Sequence, residues 1–215
     1  MGKNLSKKQV KEVLNILEEL YPHAKAELNF SNPFELLIAT ILSAQCTDVR
    51  VNKVTQKLFK EYKTPEDYLK LSEEELGEKI RSCGFYNNKS KNILGTCEML
   101  VKEYGGNVPD TREELMKLPG VGRKTANVVL SNAFSKDAIA VDTHVFRVSN
   151  RIGLSNSDNV LDTEKDLMRN IEKSMWSKAH HLLIFHGRRI CKARKPLCEK
   201  CPLDSYCIYY KENVQ

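Results

Sequence analysis

The sequence predicts an all-α protein. Three observations carry that reading: helix-capping signatures recur along the chain, apolar residues repeat at helical spacing between them, and little in the chain alternates as a strand ladder would. At 215 residues it is long enough for one large or two small domains with real cores.

Ser6-Lys7-Lys8-Gln9 is a capping box, and Val10, Val13, Leu14, Leu17 and Leu20 follow as a stripe at helical spacing. Asn32-Pro33-Phe34-Glu35 opens the next helix with an N-cap, a proline at the first position and a glutamate at the third. Leu36, Leu37, Ile38, Ala39, Ile41, Leu42 and Ala44 then leave almost no polar face, so this helix belongs at the buried centre of its domain. It ends in the small, polar stretch Ser43 to Asp48. A third helix is expected over Val49 to Tyr62, with Val51, Val54, Leu58, Phe59 and Tyr62 inward. Thr64-Pro65-Glu66-Asp67 and Ser72-Glu73-Glu74-Glu75 cap two short helices, and Gly84 stops the second. Phe85 to Lys89 reads as a loop, and Ser90 to Tyr104 as a helix ended by Gly105-Gly106.

Thr111-Arg112-Glu113-Glu114 caps a short helix expected over Arg112 to Lys117. Leu118-Pro119-Gly120-Val121-Gly122 is then a tight hairpin, and Ala126, Val128, Val129, Leu130 and Ala133 continue as an apolar helical run. Glycines at such a turn let backbone N–H groups approach a ligand, and the following helix N-terminus favours anions. With Arg123 and Lys124 beside it the hairpin suits a DNA phosphate; read alone, it serves equally well as an ordinary turn between helices. Ser135-Lys136-Asp137 is a polar break before Ala138 to Val141. Further helices run from Asp142-Thr143-His144 to Gly153, from Leu161 to Met175 and from Trp176 to Ile190. No repeat or low-complexity segment interrupts them.

Lys and Arg number 34 against 28 Asp and Glu, a net charge of +6 that is compatible with nucleic acid without specifying it. Met1 to Lys8 is polar and basic rather than a signal peptide, and Phe34 to Ala44 is too short and too interrupted to span a bilayer. Met1-Gly2 with Ser6 superficially fits a myristoylation signal, but no second anchor accompanies it. The expectation is a soluble protein of the cytoplasm.

Cys46, Cys83 and Cys97 are scattered and read as small, reduced core or near-surface residues. The other four crowd the C-terminus as Cys191-x6-Cys198-x2-Cys201-x5-Cys207. Zinc sites generally use two separate C-x2-C pairs; only one occurs here, and the longer arcs on either side suit a larger cluster. Spacing leaves both iron–sulfur and zinc open, while disulfides need an oxidising compartment. Lys192, Arg194 and Lys195 between the first two cysteines would form a metal-pinned basic loop able to meet phosphate.

Leu118-Pro119-Gly120-Val121-Gly122-Arg123-Lys124-Thr125-Ala126, Val141-Asp142-Thr143-His144-Val145 and the four spaced cysteines, with Leu42-Ser43-Ala44-Gln45 and His186-Gly187-Arg188, make a specific combination. From about Asn29 to Cys207 the chain resembles the helix–hairpin–helix DNA glycosylases that use a catalytic lysine, and within them the endonuclease III family. The resemblance implies a two-lobed fold. One lobe is a six-helix domain over residues 25–134 that contains the hairpin. The other, residues 1–24 and 135–215, holds a [4Fe-4S] cluster on Cys191, Cys198, Cys201 and Cys207.

It further implies an active site in the cleft between the lobes, with Lys124 on one wall and Asp142 on the other. The partner is double-stranded DNA carrying damaged bases or abasic sites, bound by a monomer that associates with the nucleoid. Gly120, Val121, Gly122, His144 and Lys195 would contact DNA, and Gln45 would fill the gap left by a flipped nucleotide. Phe85 could wedge from the other side, although the family commonly has an aliphatic residue near that position.

The chemistry gives these residue types a reason. A base in a duplex must be flipped out before its sugar can be attacked. An amine that displaces the base at C1′ leaves a Schiff base, which acidifies the neighbouring position and permits β-elimination, whereas water would release the base and leave the backbone intact. Lys124 therefore implies a glycosylase that is also a lyase, acting on oxidised pyrimidines, with Asp142 stabilising positive charge on the sugar or accepting a proton. Two other readings compete. The adenine-mismatch glycosylases share the cluster but usually lack the lysine and add a C-terminal domain. A non-catalytic DNA-binding module would use only the hairpin and the basic loop.

Overall fold

Residues 5–214 are described by the computed structural model of the chain; Met1 to Asn4, with the myristoylation-like Met1-Gly2, and Gln215 lie outside the described residues. All regular elements among the described residues are helices. None is long and apolar enough to cross a membrane. The chain divides into two compact units, a continuous one over residues 26–136 and a discontinuous one that joins residues 1–25 to 137–215.

The continuous unit is built around α2 (Pro33–Leu42), which packs against α3 (Asp48–Glu61), α6 (Tyr86–Tyr104) and α8 (Arg123–Ala133). The Asn32 side chain accepts the Glu35 amide at 2.9 Å, with Pro33 behind it, so the helix start matches its sequence signature. All of Phe34 to Leu42 is buried except Glu35, and each fully buried leucine contributes about 2 kcal/mol. Thr40 fits this apolar cylinder because its hydroxyl donates to the Leu36 carbonyl at 2.7 Å. The short helices α4 (Pro65–Tyr68) and α5 (Glu73–Ile80) start with complete capping boxes at Thr64 and Ser72.

Three expectations for this unit need correction. α3 buries Val51, Thr55 and Leu58, while Val54, Phe59 and Tyr62 are only partly covered. The Thr111 helix, α7, ends early at Leu115 (Arg112–Leu115), because Lys117 and Leu118 close tighter turns onto the Glu114 and Leu115 carbonyls. The expected loop Phe85 to Lys89 is mostly helix: α6 begins at Tyr86. Its basic Lys89 is buried because the ammonium donates to the Leu42 and Cys83 carbonyls, each at 2.9 Å. Polarity suggested a surface loop; satisfied hydrogen bonds make the residue an interior one.

The discontinuous unit packs α1 (Lys7–Leu20) against α11 (Trp176–Arg189), and α11 in turn against α9 (Thr143–Ile152). Val10, Val13, Leu14 and Leu17 of α1 share one core with Val145, Val148, Ile152, Ala179, Leu182 and Leu183. The expected helix from Leu161 to Met175 is interrupted. α10 runs Val160–Asn170, Ile171 turns extended, and the Trp176 indole donates to the Ile171 carbonyl at 3.0 Å across the break. α9 stops at Gly153 as expected, with φ +102°, and a Cβ there would lie 2.5 Å from Ile208 at the start of α12 (Ile208–Asn213).

Candidate nucleic-acid interface and metal centre

The hairpin between α7 and α8 is held from below by α6. Thr96 donates to the Pro119 carbonyl at 2.9 Å, and Gly95 leaves room for the Pro119 ring. Arg112 Nε donates to Asn127 Oδ1 at 2.8 Å and ties the two helices together. Gly120 has φ +74°, and a Cβ there would meet Asn92 at 2.9 Å. Gly122 differs: it is the N-cap of α8 with φ −88°, and a Cβ there would enter open space. It brings no side-chain acceptor to the first turn of the helix, an arrangement that suits an external acceptor such as phosphate. Val121 between the glycines is buried, and Lys124, the second residue of α8, is exposed.

The glycines therefore predict opposite behaviour. Gly120→Ala should lower unfolding stability by about 1–2 kcal/mol through backbone strain and crowding, seen as a lower thermal midpoint. Gly122→Ala should leave the midpoint nearly unchanged and weaken duplex binding, because its methyl intrudes where the backbone is open.

Four non-glycine residues have positive φ among the described residues: Gln45 (+53°), Phe85 (+50°), Ser135 (+52°) and Lys195 (+51°). Gln45, Phe85 and Lys195 are residues singled out from the sequence for contact with DNA, and all three are exposed. L-residues adopt this conformation at a cost, and such strain concentrates where a side chain has to be aimed. Phe85 is 63% exposed, unusual for an unpartnered aromatic.

In the other unit Asp142 is the N-cap of α9. Its Oδ1 accepts the His144 and Val145 amides, both at 2.8 Å, which leaves Oδ2 as the oxygen available for other work. His144, the second residue of α9, lies 3.2 Å from Arg147 through Nδ1, and burial lowers its pKa against the opposing pull of Asp142. Gly187 of the His186-Gly187-Arg188 stretch is there for packing: a Cβ would sit 3.0 Å from Val148 and 3.1 Å from His144 and Arg147.

Sequence reasoning did not identify Arg147 and Arg151, one turn apart on α9. Arg147 donates through Nε and Nη2 to the Cys191 carbonyl, at 3.2 and 3.0 Å. Arg151 donates to the carbonyls of Lys192 and Ala193, at 2.7 and 3.1 Å, and stacks 4.6 Å over Tyr209. Two arginines at i, i+4 on one side of an amphipathic helix are the available signal.

Cys191, Cys198, Cys201 and Cys207 line one small cavity with Ile152 and His186. Among the described residues, no three His, Cys, Asp or Glu side chains converge on a single metal ion. Four sulfurs around a shared space fit a multi-iron cluster better than one zinc. Donors to sulfur are in place: Arg151 Nη1 is 3.7 Å from Cys191 Sγ, and His186 Nε2 is 3.5 Å from Cys201 Sγ. His186 is held on its other side by the Tyr21 hydroxyl at 3.2 Å, and burial pushes its pKa down to about 4. Burial also pushes the Cys201 thiol up to about 11, a cost that a metal taking the thiolate as a ligand would offset.

Comparison with known proteins gives this arrangement its context. The HhH-GPD superfamily of base excision DNA repair proteins matches residues 38–174, and the iron–sulfur binding domain of endonuclease III matches residues 191–207. Endonuclease III of Bacillus subtilis (strain 168) is 56% identical over 204 residues, covering 94% of this chain and 93% of that protein. Endonuclease III of Escherichia coli (strain K12) is 49% identical over 203 residues, covering 94% and 96%. The solved structure of a trapped endonuclease III–DNA covalent intermediate, an estranged-adenine complex, matches with a TM-score of 0.93 at 54% identity. It covers 98% of this chain and 100% of that one. The cofactor that goes with this cysteine domain is a [4Fe-4S] cluster. With nearly the whole length matched and the hairpin and cysteine tail both accounted for, the chain belongs to the endonuclease III family of base excision repair proteins and is a DNA glycosylase and abasic-site lyase.

Proposed function

We propose that the enzyme removes oxidised pyrimidines from double-stranded DNA and cuts the strand 3′ to the resulting abasic site, with Lys124 as nucleophile. The observation that carries this reading is the start of α8. A glycine N-cap brings no side-chain acceptor to the first turn, and an exposed lysine stands at the second position of that turn. The Val121 amide closes the hairpin onto the Leu118 carbonyl at 3.1 Å, and the amides of Gly120 and Gly122 on either side of it grip backbone phosphate, so that the amine lies beside the sugar rather than on the phosphate itself. The Lys124 amine attacks C1′, and the base leaves with the glycosidic electron pair. The sugar ring opens to a Schiff base; loss of a C2′ proton then expels the 3′ phosphate.

Asp142 supplies negative charge as the sugar becomes cationic, through the carboxylate oxygen its cap does not use. His144 and Lys195 contact backbone, and Gln45 enters the space vacated by the flipped nucleotide, with Phe85 as a second wedge. Cys191, Cys198, Cys201 and Cys207 hold the cluster, which supplies a rigid anchor for the basic loop. Arg147 and Arg151 fix the carbonyls of that loop. The enzyme acts as a monomer on nucleoid DNA in the cytoplasm.

The test of substrate class is a set of otherwise identical duplexes carrying an oxidised thymine, an oxidised cytosine, an oxidised guanine, an alkylated purine, a mispaired thymine or a preformed abasic site. Base release and strand cleavage are measured on each. The two oxidised pyrimidines should be released fastest of the five modified or mispaired bases, with cleavage following release. Faster release of any purine lesion or of the mispaired thymine would overturn the assignment. Tight binding to all six without cleavage would instead describe a DNA-binding module.

A further inference from the structure

We propose that Cys46 and Cys83 form a reversible disulfide, a redox modification site separate from the cluster that ties together the two loops bearing Gln45 and Phe85. The sequence sets these cysteines 37 positions apart, and the fold brings their thiols into side-chain contact. Cys46 lies in the turn after α2, directly following Gln45, and is partly exposed; its amide donates to the Ser43 carbonyl at 3.1 Å, and its Sγ lies 3.8 Å from the Thr47 carbonyl oxygen. Cys83 ends a short 3-10 turn (Arg81–Cys83), two residues before Phe85, and is 2% exposed.

Lys89 holds the pair in register. Its buried ammonium donates to the Leu42 carbonyl at the root of the first loop and to the Cys83 carbonyl at the root of the second. The same ammonium, with Arg50, is the positive charge facing the thiols and opposes the burial that pushes Cys83 up to about 11. Exposure assigns the order of events. Cys46 meets the oxidant, and the buried Cys83 resolves the product.

The oxidant is a hydroperoxide. The Cys46 sulfur attacks the O–O bond and becomes a sulfenic acid, and the displaced oxygen leaves as water or an alcohol. The Cys83 sulfur then attacks the Cys46 sulfur, the S–S bond forms, and the sulfenic hydroxyl leaves with the Cys83 proton as water. With hydrogen peroxide, two thiols and one peroxide give one disulfide and two waters; two electrons pass from sulfur to oxygen, and a thiol reductant reverses the change.

The consequence rests on the reading of Gln45 and Phe85 as residues that enter the DNA. Both sit in left-handed backbone beside the cross-linked positions, so the bond fixes their loops at the spacing of the DNA-free protein. Oxidation should weaken binding to a lesion duplex by about fivefold or more.

The experiment treats the cluster-loaded enzyme with hydrogen peroxide while visible absorption confirms that the cluster remains. The expected product has a mass lower by two hydrogens and yields a Cys46–Cys83 peptide under non-reducing digestion. Duplex affinity should fall, and dithiothreitol should restore both. Cys46→Ser and Cys83→Ala should each give no cross-link and keep their affinity after peroxide. Absence of the cross-link with the cluster intact, or accumulation of sulfinic acid on Cys46 in its place, overturns the proposal. Gln45→Ala separates the remaining failure. If the cross-link forms without changing affinity while Gln45→Ala does weaken binding, the proposed consequence is wrong. If neither changes affinity, the assignment of the loops to DNA fails and the disulfide stands.

Discussion

Lys124→Ala eliminates borohydride trapping on both lesion-containing and abasic duplexes, and slows strand cleavage by at least about 10³-fold. The expectation follows from the difference between holding DNA and reacting with it. Duplex affinity should change little, because the hairpin amides, Arg123 and the cysteine-tail loop remain. Lys124 is exposed in the first turn of α8, so its truncation should alter stability by no more than about 0.5 kcal/mol. Loss of activity with an unchanged melting temperature therefore reports chemistry. Lys124→Arg sharpens the test: it keeps the positive charge for phosphate but forms no Schiff base, so it should bind normally and trap nothing. A Lys124→Ala protein that traps at the wild-type yield would remove this residue from the mechanism.

Much of this arrangement is legible in the sequence because its signals are local. The capping residues at Ser6, Asn32, Thr64 and Ser72 satisfy helix-end amides within their own turns, so a few consecutive residues suffice to place them. The apolar run of α2 announces burial on every side. The burial of Lys89 is not legible there because its environment is assembled from the Leu42 and Cys83 carbonyls, which no local pattern brings together. The same limit hid Arg147 and Arg151, whose partners lie about forty positions further on at Cys191 to Ala193. Cys46 and Cys83 looked scattered for that reason too. At the hairpin, sequence marked two glycines alike, but only φ and neighbours distinguish Gly120, which the turn requires, from Gly122, which leaves backbone open.

Asp142 combines two jobs that substitution can separate. As the N-cap of α9 it accepts two amides through one oxygen, and asparagine can accept the same pair. Asp142→Asn should therefore keep the unfolding free energy within about 0.5 kcal/mol of the wild type. Asp142→Ala, which leaves both amides without their acceptor, should cost about 1 kcal/mol or more. Both lose the carboxylate charge, and base release should fall by at least about 10²-fold in each. The two substrates then separate the possible roles. An anion that stabilises the sugar as the base departs matters most while the glycosidic bond is breaking. Cleavage of a preformed abasic site, where that bond is already gone, should then fall much less than base release. Equal losses on both substrates would assign Asp142 to the proton transfer of the elimination instead. Full activity in Asp142→Asn would reduce it to a helix cap.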